Sequence, residues 1–260
     1  MQVAVVGGTG ALGVPVVREL VARGHTVRVL SRTAPADPVP GTTHHAVDLA
    51  SGAGLDAALA GVHTVVDAVS HRGLRSAPVM VEGVRTLLAA EQRAQVGHHV
   101  EISIVGCEQV PFSYYRTKVA QERVVTAGPV PWTLLRATQF HDLIDEILGA
   151  SATFRLAPRS AMRFQPIDTG AVAARLADAV DAGPAGRVRD LGGPAVQTLA
   201  ELADIRRRAL GQRVLPLPVP PLGRVVRRVR SAALCLDSDG EAVSFDYAEW
   251  LRRRHSKPAN

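Results

Sequence analysis

Val3-Ala4-Val5-Val6-Gly7-Gly8-Thr9-Gly10-Ala11-Leu12-Gly13 decides how this chain is read. Four apolar residues suited to a buried strand run into clustered glycines, and Leu12, Val16 and Leu20 follow at four-residue steps beside Val17 and Val21. A strand that turns through glycines into an amphipathic helix is what a nucleotide phosphate loop requires. Gly7 can take backbone angles closed to other residues, Gly10 has no Cβ to block a pyrophosphate, and Gly13 lets the helix approach the strand. The unpaired N–H groups at the helix start then face the phosphates. Gly7, Gly8, Thr9, Gly10, Ala11, Leu12 and Gly13 are therefore the expected cofactor loop. Their Gly7-x-x-Gly10-x-x-Gly13 spacing is not the commonest dinucleotide fingerprint, so the flanking strand and helix carry the reading. Pro15 predicts that regular helical bonding begins late.

Working outward, Thr26 to Leu30 reads as a second strand entered through Gly24, and it ends at Ser31 and Arg32. In dinucleotide folds an acid near this strand end accepts hydrogen bonds from the adenosine ribose. Leu30-Ser31-Arg32-Thr33 carries none. A cation and a hydroxyl suit a 2′-phosphate instead, so NADP(H) is the expected cofactor and NAD(H) the alternative. Further strands are expected near Thr43 to Val47, Thr64 to Val69, His99 to Val105 and Trp132 to Arg136. Helices are expected at Leu55 to Leu59 and from about Ser76 to Gln95. This alternation predicts an α/β chain of the Rossmann-like, doubly wound type, with a parallel sheet covered on both faces. Asp48, after the third strand, is a candidate for contacting the adenine or capping the next helix.

Ligands in such sheets bind beyond the carboxyl ends of the strands, which places Ser103 near them. Downstream, Ser113-Tyr114-Tyr115-Arg116-Thr117-Lys118 opens a helix on which Tyr114 and Lys118 stand one turn apart. A free tyrosine has a pKa of about 10. An adjacent ammonium lowers it by roughly 1 to 3 pH units, which suits Tyr114 to proton exchange with a substrate carbonyl as hydride arrives from a nicotinamide. Ser103 would hydrogen-bond the same oxygen, and Lys118 would also hold the nicotinamide ribose. Tyr115 is a rival for the acid.

These residues resemble the short-chain dehydrogenase/reductase superfamily, specifically its atypical NmrA-like, NAD(P)H-binding branch. Val5 to Gly13 is similar to that branch's cofactor loop, and Ser103, Tyr114 and Lys118 are similar to the superfamily's catalytic serine, tyrosine and lysine. Pro131 to Phe140 resembles the strand and loop bordering its substrate site. The resemblance implies an oxidoreductase acting on a small carbonyl, alcohol or quinone-like substrate. It also implies a second reading, because the branch includes proteins that lack the tyrosine and use the dinucleotide for sensing or regulation.

The rest of the chain bounds these expectations. With 260 residues and 47% hydrophobic content there is enough material for one large domain, with residues about 140–170 and 187–260 contributing a small substrate lobe. Phe140, His141 and Phe164 are candidate substrate-binding residues there. Asp142 to Leu148 reads as a short helix and Thr153 to Pro166 as small strands. Asp168 and the Thr198/Glu201 capping box start two further helices. Pro216, Pro218, Pro220 and Pro221 read as a stiff connection, and Phe245, Trp250 and Leu251 as anchors of a last helix.

No apolar run is long enough to span a bilayer and no signal-type segment precedes the first strand, so the expected location is the cytoplasm without membrane insertion. Cys107 and Cys235 fit neither a disulfide framework nor a zinc set. No metal constellation emerges from the histidines, since His98 and His99 would point to opposite faces of a strand. The net charge of +6 comes with arginine clusters at Arg206 to Arg208, Arg224 to Arg230 and Arg252 to Arg254. In Arg224-Val225-Val226-Arg227-Arg228-Val229-Arg230 the valines form one helical face and the arginines a solvated one. Without interleaved aromatics such runs do not suit nucleic acid. The expected partner is a small-molecule substrate, with oligomerisation left open.

Overall fold

The structure, a computed structural model, describes residues 1–69, 77–220, 222–243 and 245–256. The chain divides into two compact units. The first contains residues 1–103, 113–136 and 172–188; the second contains residues 104–112, 137–171 and 189–260.

The first unit is built on strands β1 (Gln2–Val6), β2 (Thr26–Ser31), β3 (Thr42–Ala46), β4 (Thr64–Asp67), β5 (His98–Ile104) and β6 (Trp132–Ala137). They pair in the order β6-β5-β4-β1-β2-β3, with β1–β2, β2–β3, β1–β4 and β4–β5 parallel. The apolar runs of β1 and β4 are buried almost throughout, as parallel strands covered on both faces require. Register sets Val6 beside both Leu30 and Asp67, and Asp67 beside Glu101. The order reverses between β1 and β4, so the glycine loop leaves β1 at the switch point where such sheets bind ligands.

Between the strands run helices α1 (Gly13–Ala22), α2 (Leu55–Leu59), α3 (Ala77–Arg93) and α4 (Ser113–Thr126). Ser76, the expected start of the third helix, lies outside the described residues. A core of Val6, Leu30, Leu55, Leu59, Val65, Val84, Leu87 and Leu88 joins sheet to helices. Each leucine fully removed from water there contributes about 1.5–3 kcal/mol. Helix α4 is fixed to β6 by a buried fork, with Arg136 Nε and Nη2 donating to the two Glu122 carboxylate oxygens at 2.8 and 2.6 Å.

Pro15 does not delay α1. The helix begins at Gly13, with Val14 N–H donating to Gly10 O at 3.0 Å, because a proline in the first turn lacks only a donor that has no intrahelical acceptor anyway. Strand β4 ends at Asp67, two residues earlier than expected, where Val69 N–H turns back to Asp67 Oδ1 at 2.9 Å.

In the second unit, α5 (His141–Thr153) extends beyond the expected Leu148, and short strands follow at β7 (Leu156–Arg159) and β8 (Arg163–Phe164). Asp168 Oδ2 accepts from Ala171 N–H near the start of α6 (Thr169–Ala182), whose later turns belong to the first unit together with β9 (Gly186–Arg187). Next come β10 (Leu191–Gly192) and β11 (Gln197–Thr198), then α7 (Leu199–Ala209), which starts at the expected capping box.

Leu215 to Pro218 is a strand, β12, in register with Leu156 to Arg159, where the prolines alone suggested a connection. Prolines are tolerated on such an edge. Pro221 lies outside the described residues. Helix α8 (Arg224–Arg230) buries Val229 and exposes its arginines. After β13 (Glu241–Ala242), α9 (Tyr247–His255) buries Tyr247, Trp250 and Leu251 against Ile144, Leu148 and Leu202, with Phe245 partly buried beside them.

Candidate functional site

Gly7 adopts φ +72°, and its N–H donates to Leu30 O at 2.9 Å, tying the loop to the end of β2. A Cβ on Gly13 would overlap the carbonyl oxygen of Gly7, so only glycine lets α1 begin this close to the loop. Leu12 gives the helix no side-chain cap, and its first turn carries no acid. The N-terminal amides and the positive end of the helix dipole thus meet no protein anion of that turn, an arrangement that fits a pyrophosphate.

Ser31 closes β2. Its hydroxyl donates to Thr33 O at 2.7 Å and lies 3.0 Å from His44 Nε2, a neighbour on β3 that sequence spacing did not single out. Arg32 is exposed beside it. Asp48 does not cap α2, whose N-cap is Gly54. It closes its own turn, accepting from Ser51 Oγ at 2.8 Å and Ala50 N–H at 3.1 Å. Those bonds, the Ser51 hydroxyl first, hold its carboxyl below the usual value, with a smaller contribution from Arg32.

Strand β5 carries His99, Glu101 and Ser103 at alternate positions, hence on one face, and all three are buried. Ser103 Oγ has no hydrogen-bond partner among the described residues. A hydroxyl shut away from water without a partner costs free energy, and a ligand oxygen would satisfy it. Tyr114 and Tyr115 are half-buried at the start of α4, their ring centroids 5.9 Å apart. One turn on, Lys118 is buried and donates to Glu101 Oε1 at 2.8 Å. Burial works against its charge, but Glu101 and then Tyr114 outweigh that, and the lysine pKa is raised.

Glu101 is the centre of a larger buried cluster. His99 Nε2 lies 3.6 Å from Glu101 Oε2, and His99 Nδ1 contacts both carboxylate oxygens of Glu91 on α3 at 2.9 and 3.1 Å. Burial opposes the imidazolium, yet the two carboxylates raise His99 well above the ordinary value. Burial likewise opposes ionisation of Glu101, but Lys118 and His99 hold its pKa down. Asp67 completes the group from β4. Burial, followed by the nearby Glu101 charge, pushes its pKa up to about 7.

Glu91, Asp67, His99 and Glu101 were missed because residues on neighbouring strands and on a covering helix are far apart in sequence. The available signals were Asp67 interrupting an apolar strand and the polar alternation of His99, Glu101 and Ser103.

The three candidate substrate residues lie in the second unit. Phe140 is half-buried at the N-cap of α5 and bridges to Ile167. Phe164 on β8 packs partly buried against the core of that unit. His141 is inside the core, its ring centroid 5.7 Å from Trp250, 5.9 Å from Tyr247 and 6.0 Å from Phe245. Burial is the largest influence on His141 and holds its pKa down.

The parallel sheet, its order reversal and the glycine loop at that point define a Rossmann-like dinucleotide-binding fold. The chain belongs to the NAD(P)H-binding family, whose sequence model matches residues 7–182.

A solved NADPH-dependent quinone oxidoreductase from Escherichia coli, complexed with NADPH, superposes with a TM-score of 0.80 at 20% identity, covering 97% of this chain and 99% of that one. A nucleoside-diphosphate-sugar epimerase from Staphylococcus aureus gives 0.79 at 17% identity, covering 97% and 100%. At such identities the likeness shows the fold. The Arabidopsis thaliana chloroplastic protein High Chlorophyll Fluorescence Phenotype 244 is 33% identical over 117 residues, which is 42% of this chain but only 29% of that protein. No helix among the described residues is long and apolar enough to cross a membrane.

Proposed function

We propose that the protein is an NADP(H)-dependent oxidoreductase that reduces a small carbonyl or quinone-like substrate, or oxidises the corresponding alcohol. The observation that carries this reading is the buried hydroxyl of Ser103, without a hydrogen-bond partner among the described residues, near the carboxyl end of β5 in the same unit as Tyr114 and Lys118. Gly7 to Gly13 would hold the pyrophosphate through backbone amides, while Ser31 and Arg32 would take the 2′-phosphate. The bound nicotinamide would supply or accept the hydride. Ser103 donates to the substrate oxygen and fixes its position. Tyr114 gives that oxygen its proton, and the Lys118 charge favours the phenolate left behind.

The neighbouring quinone oxidoreductase supports this choice of substrate class, and the family supports the cofactor. One observation favours a second reading, a binding protein that reports NADP(H) without turnover. Lys118 is already committed to Glu101, which offsets part of its effect on Tyr114.

Titration with NADPH and NADH, followed by a carbonyl and quinone panel read as loss of nicotinamide absorbance, separates the two. NADPH binding with turnover that Tyr114→Phe abolishes supports the reductase. Binding without turnover across the panel supports the sensor, and binding of neither dinucleotide sinks both.

A further inference from the structure

We propose that Asp67, Glu101 and His99 form a buried proton store that recharges Tyr114 through Lys118. The inference rests on Tyr114 being the acid and base of the reductase described above.

Lys118 is 3% exposed and hydrogen-bonded to Glu101 at 2.8 Å, so its immediate proton donor is a protein group. Behind that carboxylate, polar atoms of Asp67, His99 and Glu101 lie within 4.8 Å of one another, and all three residues are at most 2% exposed. Asp67 Oδ2, His99 Nε2 and Glu101 Oε2 have no hydrogen-bond partner within ordinary distance among the described residues. Buried polar atoms without a hydrogen-bond partner are costly, and a proton shared within the cluster would satisfy them.

The groups facing Asp67 are Glu101 and His99 from β5 and Lys118 from α4, with Glu91 of α3 behind His99 and the Val69 amide on the other carboxylate oxygen. Asp67, pushed up to about 7, can hold or release a proton near neutrality, which a carboxyl in water cannot. Asp67, His99 and Glu101 also have the donor types of a metal site. Here the cation beside Glu101 is the Lys118 ammonium, and a dication would stand against it as a like charge.

In reduction, the reduced nicotinamide transfers a hydride, and so the electron pair, to the substrate carbon. The Tyr114 O–H bond breaks as the substrate O–H bond forms. A Lys118 N–H bond then breaks to restore the phenol, and the lysine nitrogen takes a proton from the cluster across Glu101. Asp67 is left ionised and regains its proton from solvent between turnovers. Oxidation runs the same transfers in reverse.

The test uses the full chain and two readouts. The first is ultraviolet titration of tyrosinate, with the Tyr114 step identified by its loss in Tyr114→Phe. Asp67→Asn removes a negative charge beside Lys118, the residue whose charge also acts on Tyr114, so the step should move down by at least about 0.5 pH unit. His99→Gln, which removes a positive charge, should move it up. No movement in either variant overturns the proposal.

The second readout is reduction of menadione by NADPH as a function of pH. Asp67→Asn should lower kcat about tenfold with little change in KM and remove the limb of the profile near pH 7. An unchanged profile overturns the store, as does one equivalent of tightly bound metal in the purified protein. Loss of the reductase reading itself is seen separately, as menadione turnover that Tyr114→Phe leaves intact or that the parent protein lacks. The tyrosinate titration still decides the coupling in that case.

Discussion

Lys118 Nζ and Glu101 Oε1, 2.8 Å apart and both buried, join the helix that carries Tyr114 to the strand that carries Ser103. Removing one partner of such a pair strands the other charge in a dry site. Lys118→Met should therefore destabilise the protein by about 3–5 kcal/mol, whereas the double variant Lys118→Met/Glu101→Gln should recover part of the loss. Urea unfolding of the three proteins measures this. Equal losses in the single and double variants would show that the pair does not hold the two elements together.

Arg32 is exposed next to Ser31, and its effect should be confined to the cofactor's 2′-phosphate. A hydrogen bond to a charged group contributes about 1.5–3 kcal/mol. Arg32→Ala should thus raise the Kd for NADPH roughly 10- to 150-fold and leave NADH within about twofold. Fluorescence titration of both nucleotides checks this, and parallel losses for the two would remove Arg32 from the 2′-phosphate site.

Asp67 gives a stability signature with a defined sign. Its folded pKa of about 7 lies above the ordinary 3.8, so the unfolded chain ionises first as pH rises. Between those values the folded state binds more protons than the unfolded one, and this group's contribution to stability falls as pH rises. At about 1.4 kcal/mol for each pH unit the cost reaches roughly 4 kcal/mol above pH 7. Asp67→Asn should gain stability over the parent from pH 4 to pH 7 and keep that gain at pH 8. His98, lowered to about 4 by burial and then by His99, acts in the opposite direction but is common to both proteins. Denaturation midpoints that differ by the same amount at pH 5 and pH 8 would refute the assignment.

Gly10 and Gly13 should separate binding from folding. A Cβ on Gly10 would meet only the Gly7 carbonyl oxygen, at 3.2 Å, whereas one on Gly13 would overlap that oxygen and crowd Gly8 Cα at 2.7 Å. Gly10→Ala is expected to keep the parent Tm and lose NADPH affinity. Gly13→Ala is expected to lose both, with a stability cost of about 1–3 kcal/mol from overpacking. Thermal melts with and without NADPH distinguish them, and equal melting temperatures in the two variants would contradict the packing role of Gly13.

What was legible in the sequence was local. The strand-loop-helix at Val3 to Gly13, the Thr198/Glu201 capping box and the half-buried α8 all follow from residues within a turn or two of one another, where spacing specifies direction. Leu215 to Pro218 was not legible, because its strand character comes from pairing with Leu156 to Arg159 some sixty residues earlier. Asp67 appeared only as an interruption of β4. Its meaning depends on standing in register with Glu101, and on Lys118 and Glu91 arriving from two helices. Buried charge is tolerated only when compensated, and the compensating groups here come from four separate elements.

The chain passes between its two units five times, after Ser103, Phe112, Arg136, Ala171 and Val188. Neither unit is a contiguous length of sequence, so no single proteolytic cut can release one intact. During synthesis the first unit stays incomplete until Val188 has emerged, by which point two segments of the second are already present. Folding of the first unit must therefore close loops that carry segments of the second, and such non-local closure favours slow folding over rapid assembly from local contacts.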